Sequence, residues 1–162
     1  MEFESLNDRN SSSEIKVVVD NRVLGGYRRR ALRHFPNEYM ETLWGRISNN
    51  VITIIAFQAI EHEATTKDLS YDDDQIFIQT EDANDEKLQL LGTIHSHPYP
   101  THTCTKCGTT ADPSPSKADW VDMADNSEIV SGVCAIWVRE SGRKQTKIQF
   151  WPNQAICKLI VR

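Results

Sequence analysis

The sequence predicts a single α/β domain, and three observations lead to this class. The chain has 162 residues, the size of one ordinary domain with its own hydrophobic core. Hydrophobic residues make up 39% and charged residues 25%, which is the balance of a globular protein rather than a fibrous or disordered one. Segments with the apolar spacing of strands alternate along the chain with segments that have the spacing of helices.

The first elements are a strand and a helix. Residues 1–13 are polar and include three consecutive serines, so we expect a flexible leader before a domain over residues 14–162. Residues 15–19 are apolar enough for a first strand. Apolar residues then recur at helical spacing over 23–34, and Pro36 ends that helix.

A pair of strands and a polar stretch follow. Residues 39–44 and 51–59 are predicted to pair as strands, because the Ser-Asn-Asn between them is typical of a turn. Residues 61–74 are polar and acidic and are predicted to form a solvated loop. Their three consecutive aspartates do not indicate a calcium site, since the alternating acids and central glycine of an EF-hand are missing.

A short helix is predicted over residues 81–89, followed by a strand over 90–94 that ends at His95. Pro98 and Pro100 come directly after the histidines and are expected to end this strand. A strand end is a suitable place to present ligand side chains.

The C-terminal part is predicted to hold one more helix and three strands. Ser116 is a plausible N-cap for a helix over 116–125. Residues 132–138 and 146–150 have strand character on either side of a Ser-Gly turn. The apolar tail over 154–161 is expected to form a last strand.

Charge and hydropathy exclude several classes of function. The formal net charge is -5, which argues against a broad phosphate-binding surface although residues 28–30 are three consecutive arginines. Nucleic acid is therefore not expected as a partner. The longest apolar run, over 51–57, is too short to cross a bilayer, and residues 1–9 lack the apolar core of a signal peptide. We expect no membrane association and a cytoplasmic location.

Two pairs of polar residues have the spacing of a metal site. His95 and His97 stand at i and i+2, so on an extended segment both rings point to the same side and can share one metal ion. Ser116 and Asp119 lie one helical turn apart and supply a hydroxyl and a carboxylate. Two histidines, one aspartate and a water molecule make a four-coordinate zinc site with one position open for chemistry.

Four features stand in one order along the chain: Pro36-x-Glu38, then Gly45, then His95-Ser-His97-Pro98, then Pro115-Ser116-x-x-Asp119. This order resembles the JAMM (JAB1/MPN/Mov34) metalloprotease family over about residues 15–138. The resemblance implies the MPN/JAMM fold, a cytidine-deaminase-like domain with a curved, mostly antiparallel sheet flanked by helices, and it places the zinc at a strand end.

The resemblance also implies roles for individual residues. In such a site His95, His97 and Asp119 ligate zinc, Glu38 is the general acid/base, and Ser116 supports the tetrahedral intermediate. The chemistry is consistent, because zinc lowers the pKa of its water towards about 7 and a nearby carboxylate can then move the proton. Glu41 is the rival base, but strand alternation puts it on the opposite face from Glu38.

The chain departs from the family between the second histidine and the aspartate. Here 21 residues, Pro98 to Ala118, separate the two ligands, which is more than the family's usual spacing. The insertion, at about 99–114, contains His102, Cys104 and Cys107, and its Cys-x-x-Cys-Gly turn has the shape of a zinc knuckle. A second, structural zinc, a reduced loop without metal and a Cys104–Cys107 disulfide remain as alternatives.

The other cysteines and histidines carry no ligand pattern. Cys134 lies in an apolar strand and Cys157 in the apolar tail, where core thiols are usually inert. His34 and His62 are predicted to be surface residues.

The resemblance implies hydrolysis of an amide or isopeptide bond that releases ubiquitin or a ubiquitin-like protein. The expected partner is therefore a ubiquitin-like protein or its conjugates, and the chain looks most like the free-standing prokaryotic, deubiquitinase-like members. Processing of a sulfur-carrier protein, a phage-tail type of peptidase activity and a non-catalytic MPN scaffold remain as alternatives.

Overall fold

A computed structural model describes residues 14–72, 74–76, 79–80, 87–99 and 112–160. Its main elements follow in the order β1 (Lys16–Val19), α1 (Asn21–His34), β2 (Met40–Ser48), β3 (Val51–Ala59), β4 (His62–Ala64), β5 (Leu69–Tyr71), β6 (Gln89–Tyr99), α2 (Lys117–Asp125), β7 (Val130–Val138), β8 (Lys144–Pro152) and α3 (Gln154–Ile160).

Six of the strands form one mixed sheet in the order β1-β3-β2-β6-β7-β8, and β4 and β5 form a separate two-stranded sheet. In the large sheet β1 with β3 and β6 with β7 are parallel, and the other three pairings are antiparallel. The predicted combination of helices with a mostly antiparallel sheet is therefore found, although strands hold more of the described residues than helices do.

Helix α1 lies against this sheet through its apolar face. Tyr27 and Ala31 are fully buried and belong to a core cluster that also holds residues of β2, β3, β6 and β7. The helix begins where the side chain of Asp20 accepts a hydrogen bond from the Arg22 N–H, and Asp20 is its N-cap. Both the helix and the strand before it are where the sequence predicted them.

The hairpin of β2 and β3 has longer strands than predicted. β2 continues to Ser48, so most of the predicted connection over 45–50 is strand, and Asn49 makes the turn at a φ of 54°. Gly45 stands at a register irregularity, where an added Cβ would lie 1.9 Å from the carbonyl oxygen of Thr53. Close backbone approach at this bulge therefore requires a glycine.

β6 does not end at His95 as predicted. Its pairing with β2 ends at Met40 opposite His95, but its pairing with β7 continues to Tyr99. The Ser96 N–H points towards β2, so alternation turns the nitrogen of Pro98 to the same side, beyond the end of β2. No ladder hydrogen bond is lost there, so the strand tolerates a proline.

Two other predictions before β6 are wrong in part. The loop predicted over 61–74 contains the short hairpin of β4 and β5, whose strands have three residues each and too little pattern for a strand prediction. Thr65 closes its turn by donating its N–H to the carbonyl of Asp68. The helix predicted over 81–89 is absent from its described part, because Lys87 is in a turn and Gln89 begins β6.

The C-terminal helix and strands are confirmed except for the last element. α2, β7 and β8 contain the predicted segments, and Gly142 makes the turn between the strands at a φ of 80°. The tail is helix α3 and not a strand. The side-chain oxygen of Asn153 accepts from the Ile156 N–H and its carbonyl accepts from the Cys157 N–H, and the side chains of Ile156 and Cys157 pack against the core.

None of the helices in the described residues is both long enough and apolar enough to span a bilayer.

Candidate metal centre

Three side chains from two elements converge at one point. The Nε2 atoms of His95 and His97, both from β6, are 2.8 Å apart. Asp119, in the first turn of α2, places Oδ1 3.2 Å from the His95 Nε2 and Oδ2 3.1 Å from the His97 Nε2. The structure therefore brings together all three residues that the sequence predicted as ligands, and these atoms could hold a metal ion.

Local structure explains why each side chain points here. Strand alternation turns His95 and His97 to the same face of β6. Asp119 is fixed by a capping box, in which Ser116 Oγ accepts from the Asp119 N–H at 3.1 Å and Asp119 Oδ2 accepts from the Ser116 N–H at 2.7 Å. The cap therefore starts the helix and also orients its ligand carboxylate.

The spacing of the donor atoms fits an ion of the size of zinc. Tetrahedral ligands at about 2.0–2.1 Å from zinc lie about 3.3 Å from one another. The two histidine nitrogens are 2.8 Å apart, and they lie 3.2 Å and 3.1 Å from the two different oxygens of Asp119, so each of these contacts is slightly shorter than that value. Two imidazoles and one carboxylate also leave a fourth position open, as catalytic zinc sites do.

The electrostatics of the three groups are coupled. Burial alone would raise the pKa of Asp119, but hydrogen bonds from His95 and His97 hold it well below its ordinary value. Burial alone would lower the pKa of His95, but the hydrogen bond and charge of Asp119 raise it. The aspartate is therefore ionised and ready to ligate a cation.

Glu38 lies in the same cleft, which has a volume of about 320 Å³ and is also lined by the three ligand residues and Ser116. Burial raises the pKa of the partly buried Glu38 carboxyl, while the neighbouring histidines act in the opposite direction. Its backbone N–H donates to the carbonyl of Thr65 at 2.8 Å, which ties it to the β4–β5 hairpin. A carboxylate is thus available beside the ligands.

Glu41 lies on the other face of β2, as strand alternation predicts. Its side chain is fully buried, and its two oxygens accept from the Arg30 guanidinium at 2.7 and 2.9 Å. It is absent from the lining of the cleft. Glu41 is therefore not placed to act as the rival base.

Thr93 and Glu128 form a hydrogen-bonded pair in the cleft that was not predicted from the sequence. Thr93 donates its hydroxyl to Glu128 Oε1 at 2.6 Å, and burial raises the pKa of Glu128 to about 7. Thr93 lies two residues before His95 on the same strand face, so period-two alternation could have identified it. Glu128 follows α2 in an irregular segment, and no spacing rule points to it.

The remaining sequence predictions have different outcomes. Cys134 and Cys157 are buried free thiols, and burial raises the pKa of Cys134 to about 12. His34 is exposed, as predicted, and its ring stacks 4.4 Å from the Tyr39 ring, whereas His62 is partly buried with its ring 5.5 Å from that of Tyr39. The candidate ligands of a second zinc, His102, Cys104 and Cys107, lie outside the described residues.

Comparisons with known proteins show a family and a similar fold. No curated protein matches the chain. The solution structure of protein DSY2949 from Desulfitobacterium hafniense is similar with a TM-score of 0.57 and 17% identity, over 85% of this chain and 86% of that one, which is a likeness of fold. The family model of prokaryotic homologs of the JAB domain matches residues 20–104, more than half of the chain, including Glu38 and both histidines. The chain therefore belongs to the family of prokaryotic homologs of the JAB domain.

Proposed function

We propose that this protein is a zinc-dependent peptidase or isopeptidase that cleaves an amide bond at the C-terminus of ubiquitin or a ubiquitin-like protein. The observation that carries the proposal is the convergence of His95, His97 and Asp119 in one cleft with Glu38. A carboxylate beside an open, three-ligand centre is the arrangement of hydrolytic metal sites. The cytoplasm is the expected location.

His95, His97 and Asp119 would hold the ion. When bound, zinc supplies a Lewis acid that polarises the carbonyl and lowers the pKa of an attacking water. Glu38 would take one proton of the attacking water while the water oxygen forms its bond to the carbonyl carbon. It would then give this proton to the leaving nitrogen as the C–N bond breaks. The raised pKa of Glu38 favours the first of these steps, because the carboxylate of a weaker acid is a stronger base.

Ser116 is suited to stabilise the oxyanion. Its oxygen accepts a hydrogen bond from the Asp119 N–H through a lone pair, which leaves the hydroxyl proton available for another acceptor. Ser116 is exposed and lines the cleft. A donor in this position can stabilise the negative charge that develops on the carbonyl oxygen.

The surroundings of the cleft favour an extended, basic chain terminus as substrate. β5, which contributes Leu69 and Tyr71 to the cleft wall, pairs only with β4 among the described strands, so an extended peptide could add beside it. Asp68, Asp122 and Glu128 outnumber the one lysine, Lys67, in the same wall. Such a surface attracts positively charged segments.

The test is cleavage of defined substrates by zinc-loaded protein. We expect release of a ubiquitin-like protein from a linear C-terminal extension or a lysine conjugate, with loss of cleavage on chelation and recovery with added zinc. Cleavage of only a sulfur-carrier fusion or a phage-tail-type peptide would reassign the substrate. A zinc-loaded protein that cleaves none of them would contradict the proposal and favour a non-catalytic scaffold.

A further inference from the structure

We propose that Ser96 is a positioning residue that sets the distance between Glu38 and the metal ligands. This inference rests on the proposed function, because it assigns Ser96 a task in that reaction. Ser96 stands between His95 and His97, but alternation turns its side chain to the opposite face of the sheet, where it is fully buried. It therefore cannot touch a substrate in the cleft.

Ser96 and Tyr39 are joined by two hydrogen bonds. The Ser96 N–H donates to the Tyr39 carbonyl at 2.9 Å, and the Tyr39 N–H donates to Ser96 Oγ at 2.9 Å. The regular ladder between β2 and β6 ends one residue earlier, at Met40 opposite His95. The serine side chain thus extends the contact between the two strands by one residue, up to the neighbour of Glu38.

The other hydrogen bonds of residues 38 and 39 are made with groups outside β6, the strand that carries His95 and His97. The Glu38 N–H is bound to the Thr65 carbonyl at 2.8 Å, and the Tyr27 hydroxyl donates to the Tyr39 carbonyl at 3.2 Å. Among these backbone hydrogen bonds of residues 38 and 39, those with Ser96 join the segment directly to β6, the strand that carries both histidines. Ser96 therefore fixes the position of Glu38 relative to His95 and His97.

The physical reason for an effect on rate is geometric. Without Ser96 Oγ, the Tyr39 N–H would be buried without an acceptor, and a buried unpaired donor drives the chain to move until it finds one. A displacement of about 1 Å in a reacting group can lower a rate about 100-fold, even when the substitution lies outside the chemistry. Substrate binding, by contrast, uses the cleft walls and should change little.

The experiment compares Ser96→Ala and Ser96→Thr with Cys134→Ala. Cys134 stands opposite Ser96 in β7 and is equally buried, so its substitution removes similar volume from the same layer but keeps the Tyr39 contact. Ser96→Thr retains the hydroxyl. If Ser96→Ala does not fold, Ser96→Cys keeps the volume with a weaker acceptor and takes its place. All variants are measured as full chains loaded with zinc.

For Ser96→Ala we expect full zinc content, kcat lowered about 10- to 100-fold and KM within about threefold of wild type. Amide exchange at Tyr39 should accelerate about tenfold or more, and the crystal structure should place Glu38 further from His95 than in wild type. Ser96→Thr should restore part of kcat, and Cys134→Ala should leave kcat within about twofold. An unchanged kcat or an unmoved Glu38 in Ser96→Ala would overturn the proposal. Loss of zinc would also overturn it, because Ser96 would then support the metal ligands rather than position Glu38.

The exchange and crystal measurements separate this proposal from the proposed function. If the wild-type protein cleaves no substrate but Glu38 moves in Ser96→Ala, the function is wrong and the positioning contact stands. If the wild-type protein is active and Glu38 does not move in Ser96→Ala, the proposed function stands and the positioning role of Ser96 is wrong.

Discussion

Glu38 and Glu41 lie three residues apart and differ in almost every physical respect. Glu41 is fully buried, and the Arg30 guanidinium occupies both of its oxygens. Glu38 is partly buried and faces the two histidines across a solvent-accessible cleft. A carboxylate with both oxygens bound to a guanidinium has a structural role and offers no free oxygen to a substrate in the cleft. Strand alternation thus places a structural glutamate and a candidate catalytic glutamate on opposite faces, although they are only three residues apart.

The largest expected effect tests whether the histidines that Glu38 faces, and Asp119 beside them, bind a metal ion. His97→Ala or Asp119→Ala removes one of three ligands, so zinc should fall from about one ion per chain to near zero, and hydrolysis should be lost with it. Metal analysis of protein purified without chelator measures the first effect. His62→Ala is the matched control, because this histidine lies outside the cleft lining, and it should retain its metal.

The same metal analysis decides whether the insertion holds a second ion. Wild-type protein with two zinc ions per chain, falling to one in Cys104→Ser/Cys107→Ser, would establish a structural knuckle. About one ion in both proteins would leave the insertion without metal, and none in either would remove the basis for a hydrolase.

Exchanging the two glutamates singly for glutamine gives the next largest effect. Glu38→Gln should keep zinc and lower kcat about 100- to 10,000-fold, because the amide cannot accept the proton. Glu41→Gln should instead lower the free energy of unfolding by about 2–4 kcal/mol, because the Arg30 charge loses its ion partner. Solvent screens part of this loss, since the Arg30 side chain is 38% exposed. Kinetics and urea denaturation of both variants measure the two effects. An active Glu38→Gln protein would reassign the base.

Ser116 combines the two kinds of role in one side chain. Ser116→Ala should lose the cap, at a cost of about 1 kcal/mol, and the hydroxyl donor as well. Ser116→Gly also removes the hydroxyl but costs only a few tenths of a kcal/mol as an N-cap. We therefore expect both variants to lower kcat about 100-fold, with only the alanine variant clearly less stable. Full activity in Ser116→Gly would restrict the serine to capping.

Most of the metal centre was predictable because its signals are local. The i, i+2 spacing places His95 and His97 on one face, and a serine three residues before an aspartate indicates a capped helix start. That Asp119 reaches the histidines comes from the resemblance and the fold, not from spacing, since 21 residues separate it from His97. Strand alternation also predicted that Glu38, just before β2, faces the opposite side from Glu41.

The parts that sequence reasoning missed depend on tertiary contacts. The strand at His95 continues because β7 pairs with it to Tyr99, which no local pattern reveals. The tail is helical because Asn153 accepts two N–H groups and the core takes its apolar side, although its composition suits a strand equally well. Glu128 enters the cleft from an irregular segment.

Glu128 gives the smallest expected effect and sharpens the comparison of the two glutamates. Unlike the fully buried Glu41 it is partly buried, it lies on the cleft side like Glu38, and it accepts a hydrogen bond from a neutral hydroxyl, that of Thr93. Burial raises its pKa to about 7, against about 4.3 in an unfolded chain. Between these two values the folded state keeps a proton that the unfolded state has released. The free energy of unfolding of metal-free protein should therefore fall as pH rises across this window, and level off above it.

Glu128→Gln isolates this contribution. The fall in stability between pH 4.5 and pH 7.5, measured by urea denaturation of metal-free protein, should be about 1–3 kcal/mol smaller in the variant than in wild type. The raised pKa of His95 also contributes stability at low pH that is lost above about pH 6.5. This fall has the same direction and should be smaller in the variant, because the Glu128 charge is one of the causes that raise the His95 pKa. Zinc should narrow the difference, because a divalent cation in the same cleft favours the ionised carboxylate. Equal slopes in the two metal-free proteins would mean that Glu128 titrates normally, and the cleft would then hold one more ionised acid at neutral pH.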